Sequence, residues 1–73
     1  MESSGARGFS RFFGRWKKSY LQLANQANAT GDFEGARVFY FAYEVLWALE
    51  LVFRGDEEGA AQVLERARWR LRV

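Results

Sequence analysis

Between Gly31 and Phe53 the chain reads G-D-F-E-G-A-R-V-F-Y-F-A-Y-E-V-L-W-A-L-E-L-V-F, with apolar or aromatic residues on nearly every side of one long predicted helix. A surface helix of a soluble protein carries one apolar stripe and one polar face. After Asp32, charge is confined to Glu34, Arg37, Glu44 and Glu50, and only the first three of these fall at helical spacing along one edge. Such a helix has to be covered on two sides, by the segment before it and the segment after it. That requirement constrains the fold far more than the function.

Seventy-three residues make one domain, near the lower limit for a self-sufficient core, with about 60% of the unfolded surface buried. Cysteine is absent, which excludes disulfides and thiolate metal sites. Histidine is absent too, and with it the commonest general base and metal ligand. Small chains without disulfides or metals rely on idealised helix packing or on oligomerisation. Seven Phe, three Trp and three Tyr in so short a chain point to association with a partner.

The net charge of +2 is unevenly placed. Residues 1–18 carry Arg7, Arg11, Arg15, Lys17 and Lys18 against Glu2, and residues 66–73 carry Arg66, Arg68, Arg70 and Arg72. The stretch between has Arg37 and Arg54 against eight acids. Basic ends can pair with the acidic centre, or they can face nucleic acid, acidic lipid or an acidic protein. The start M-E-S-S-G-A-R-G has no apolar segment behind it, so residues 1–7 read as a flexible arm and the protein as cytoplasmic. Val38 to Phe53 is too short, and Glu44 and Glu50 too costly in lipid, for a membrane span.

From Gly8 to Ala29 the apolar positions Phe9, Phe12, Phe13, Trp16, Tyr20, Leu23, Ala24 and Ala27 define one helix face, expected to pack on the central helix. Arg11, Arg15, Lys18 and Gln22 line the opposite side. A basic helix bearing Phe and Trp also suits an anionic membrane surface, but the central helix has to be covered by something. Gly31 is expected to close the first helix in the left-handed conformation, and Asp32 to cap the second. The same punctuation returns at Gly55-Asp56, and in each copy the following Gly-Ala (35–36 and 59–60) offers a small patch for close helix approach. Short connections force antiparallel neighbours. The fold class is all-α, an antiparallel three-helix bundle over about 9–30, 33–53 and 57–72, in a single domain spanning 8–73.

The pattern Tyr20-x-x-Leu23-Ala24-x-x-Ala27-x-x-x-Gly31-Asp32-Phe33-x-x-Ala36-x-x-x-Tyr40 resembles a tetratricopeptide-repeat helix pair. Tyr43 departs from that family's small residue, no proline follows, and the next Gly-Asp comes after 24 residues instead of 34. One repeat plus a helix is implied, not a solenoid. The chain is also similar to the three-helix microtubule-interacting and trafficking domains, which share the Gly-(Asp/Asn)-aromatic turn. Both resemblances imply a protein-binding scaffold with TPR-like packing that does no chemistry.

In the third helix Ala60, Val63, Leu64, Ala67 and Leu71 form the expected core face, and Trp69 lies off it beside an arginine-rich side. Trp and Arg are enriched at interface hot spots. Stacking by neighbouring guanidiniums, or base stacking with arginines on phosphates, are the other readings. Candidate partner-binding residues are therefore Arg66, Trp69, Arg70 and Arg72 here, with Arg11, Arg15 and Lys18 on the first helix. Glu57 and Glu58 serve a helix start, Glu44 and Glu50 lie on different helix sides, and Arg54-Gly55-Asp56 spells the integrin tripeptide inside a turn that already explains it. No catalytic, cofactor, metal or small-molecule site is expected. The expected function is a non-enzymatic protein-interaction module or subunit, self-associating through aromatic surface. A nucleic-acid accessory protein using the two basic ends is the alternative, and a peripheral membrane factor using Phe9, Phe12, Phe13 and Trp16 a third.

Overall fold

A computed structural model describes the backbone of residues 2–71 and the side chains of residues 8–71. It is all-α, with α1 spanning Glu2–Ala29, α2 Phe33–Phe53 and α3 Glu57–Arg70. The start of α1 lies ahead of the boundary near residue 9 that the apolar spacing predicts, because the backbone of residues 2–7 continues the helix. The side chains of the 1–7 arm, and Arg72, lie outside the described residues.

The two turns repeat each other. Gly31 and Gly55 have φ of 85° and 87°, a conformation that costs an L side chain about 1–2 kcal/mol. They close the helix ends in the same way: Asp32 N donates to Ala27 O at 2.8 Å, and Asp56 N donates to Leu51 O at 2.9 Å. Each aspartate then caps the next helix, accepting from Gly35 N at 3.0 Å and from Gly59 N at 2.9 Å. Of the two small-residue pairs, Ala36 and Ala60 are buried at the helix contacts, while Gly35 and Gly59 stay half-buried. A Cβ at either would run into the capping carboxylate one turn back, which is the nearest group to both.

α1 and α3 both pack on α2, and among the described residues no Cα of one lies within 8 Å of a Cα of the other. The three helices therefore form a layer, with Cα extents of 45 × 22 × 9 Å. A Cα thickness of 9 Å leaves no room for a second layer, which would add about 8–10 Å between axes to a Cα diameter of about 4.6 Å. The lines of closest approach are alanine-rich: Ala24 and Ala27 on α1, Ala36 and Ala48 on α2, Ala60 and Ala67 on α3. Phe13 and Val63 are the only larger apolar side chains among the described residues that join them in the buried set. Trp47 and Leu51 pack half-buried against Ala48, Ala60 and Val63.

Two expectations change as a result. The aromatic stripe of α1 does not pack wholly on α2, since Phe9, Phe12, Trp16 and Leu23 stay exposed. The α1 contact is rotated toward Phe13, Lys17 and Ala24, where small residues admit α2 and Lys17 meets Glu50. On α3, Ala60, Val63 and Ala67 are core, whereas Leu64 and Leu71 are exposed. Flanking positions on a helix become buried only where a third helix covers them, and α1 does not reach α3.

Candidate interaction surface

Two buried glutamates orient α2 between its neighbours. Glu50, 5% exposed, accepts from Lys17 Nζ of α1 at 2.6 Å and from Arg54 Nη2 at 2.9 Å. Glu44, 3% exposed, accepts from Arg70 of α3 through Nε at 2.7 Å and Nη2 at 3.3 Å, a forked arrangement. No buried side-chain nitrogen or oxygen among the described residues lacks a hydrogen-bond partner.

One face of the layer carries further polar contacts. Tyr40 donates its hydroxyl to Asn25 Oδ1 at 3.0 Å, and its ring lies under the Arg70 guanidinium, 5.0 Å from the centroid. At the other end of α2, Arg54 Nη2 donates to Ser10 Oγ at 3.3 Å.

The opposite face is hydrocarbon. Successive residues of a helix turn by about 100°, so Leu49 stands about half a turn round α2 from Tyr40. Val38 is 54%, Leu49 45% and Val52 48% exposed on that side, with Ala42 and Val45 half-buried between them. The same geometry places Phe12, Trp16 and Leu23 of α1 on this face, opposite Ser10 and Asn25. Phe9 joins them by stacking on Phe53, with ring centroids 4.6 Å apart. On α3, Leu64 and Leu71 flank the α2 contact on the side away from Arg70. Among the described residues, ten of the twelve large exposed apolar side chains thus share one face, with Phe33 and Trp69 lying elsewhere. Scattered exposed apolar residues need no explanation, but a contiguous patch across three helices calls for one.

At one end the face deepens into an open groove of about 560 Å³ lined by Gly8, Phe9, Phe12, Phe13 and Phe53. Its walls hold no polar side chain to orient a substrate. Beside it, a hollow of about 130 Å³ is bordered by Ser10, Glu50 and Arg54, whose polar groups are already bonded to each other.

The candidate residues from the sequence fall into separate places. Arg11, Arg15 and Lys18 are exposed along the free edge of α1, and Arg66 and Trp69 are exposed on α3. α2 stands between them, so they do not form one basic patch. Arg70 is engaged with Glu44 and Tyr40, and Arg72 is outside the described residues. Within the integrin-like tripeptide, Arg54 bonds Glu50 and Asp56 caps α3. Among the described residues no helix is long and apolar enough to cross a membrane.

The face itself was missed from the sequence. Its signal was present in the uncharged positions Val38, Ala42, Val45, Leu49 and Val52, alternately four and three residues apart. Comparison with protein-family models, characterised proteins and solved structures finds no match.

Proposed function

We propose that this chain is a small non-enzymatic helical subunit that works by protein–protein association through its apolar face. What supports the reading is the exposed hydrocarbon of that face, set against helix contacts built from alanine. Domains normally consist of two packed layers around one core, and this chain supplies one layer. Substituting Leu49→Glu tests it: helicity should survive, because Leu49 is exposed, while partner binding in the native host falls sharply. Retained binding would count against the face. Trp69→Ala serves as the comparison for a site on the edge of α3.

A second reading, a nucleic-acid accessory role, draws on the exposed basic edge of Arg11, Arg15 and Lys18. Fluorescence anisotropy with labelled single- and double-stranded nucleic acid tests it, because phosphate contacts release counterions and weaken steeply with salt. Binding that is absent even at low salt would remove it. The tetratricopeptide-like turn pattern fits the first reading, and a cytoplasmic setting is part of the same proposal.

A further inference from the structure

We infer that the occupant of the apolar face is a second copy of this chain, seated face to face about a two-fold axis running along the helices. The inference rests on the interaction-subunit reading and names its partner.

The area fits a pair. A folded monomer of this mass exposes about 4,700 Å², and this chain exposes 5571 Å². The difference is of the order of the roughly 800 Å² that each partner gives to a standard interface. Stacking two layers on this face produces the two-layer architecture that a single copy lacks.

The pattern of α2 fits a like helix. Val38, Ala42, Val45, Leu49 and Val52 follow the four-three alternation that keeps one seam facing a partner helix crossing at about 20°. A two-fold axis along the helices lays α2 on the partner's α2 through this seam, and each copy presents the same residues to the other.

Charge selects the axis. The free edge of α1 is basic, with Arg11, Arg15 and Lys18, whereas the first half of α3 exposes Glu57 and Glu58 without a cation, and Glu65 beyond them lies 3.6 Å from Arg68. Phe9 lies beside Phe53 and α3 starts soon after, so the α1 cations are level with the first half of α3. With the axis along the helices, each α1 lies over the partner's α3 and opposite charges meet at both rims. An axis across the helices would set α1 on α1, cation against cation. Rim charges of this kind fix orientation, and like-charge juxtaposition is strongly penalised.

Sedimentation equilibrium tests the arrangement on the full chain and two exposed-edge variants, Arg11→Glu with Arg15→Glu and Glu58→Arg with Glu65→Arg. The wild type is expected at twice its 8.5 kDa chain mass. Each variant alone should self-associate at least about tenfold more weakly, while an equimolar mixture of the two should recover the wild-type mass, since both rims are then complementary. A wild type that stays monomeric at every concentration overturns the inference, and so does a mixture no tighter than its components. Partner binding in the native host, measured with and without Leu49→Glu, separates the two failures. A monomer with a Leu49-dependent partner loses only the dimer, and a monomer without one loses the interaction reading as well.

Discussion

The ammonium of Lys17 lies 2.6 Å from a carboxylate oxygen of Glu50, across 33 residues of chain. Glu50 is almost wholly buried, so this contact fixes which face of α1 meets α2. Removing one partner of a buried ion pair is costly, whereas replacing both by apolar groups is often neutral. Lys17→Ala should therefore destabilise the fold by about 2 kcal/mol, with Arg54 left as the remaining partner of Glu50. The double change Lys17→Met with Glu50→Leu should cost clearly less. Urea denaturation at one fixed protein concentration checks the order, and a double change costing as much as the single would refute it.

Arg70 and Arg66 should behave differently although they lie one turn apart on α3. Arg70 is forked onto buried Glu44 and covers the Tyr40 ring. Arg70→Ala should cost about 3 kcal/mol by leaving that carboxylate uncompensated, while Arg66→Ala, an exposed change, should stay within about 0.5 kcal/mol. Denaturant midpoints of the two variants decide it, and equal effects would show that the fork contributes little.

The turns permit a sharp comparison among glycines. Gly31→Ala and Gly55→Ala should each destabilise by about 1–2 kcal/mol because of their positive φ. Ala normally improves on Gly inside a helix by about 1 kcal/mol. At Gly35 and Gly59 that gain should fail to appear, because the new methyl group displaces the capping carboxylate. Thermal melts of the four variants test this, and a full gain at position 35 or 59 would show that the cap tolerates a Cβ.

The elements were legible in the sequence because their punctuation is local. Gly31-Asp32 and Gly55-Asp56 end one helix and cap the next within six residues, so the bounds of α2 and the start of α3 follow from short-range chemistry. Which face of α1 meets α2 was not legible. Phe12, Phe13 and Trp16 are all large aromatic side chains, and only the long-range meeting of Lys17 with Glu50 and the alanine contacts choose among them. The exposure of Leu64 and Leu71 depends on α1 and α3 staying apart, a tertiary fact without a local signature. The separation of the two basic clusters has the same origin.

The most direct test is whether the hydrocarbon face is covered in solution. The chain contains no cysteine, so Leu49→Cys introduces a single thiol on that face. Gln62→Cys places one on exposed α3 surface, and the alkylation rates of the two variants can be compared directly. The expected result is much slower labelling at position 49 than at position 62, with the protection lost on dilution. Equal rates at every concentration would mean that the face stays open to water, contradicting the central claim.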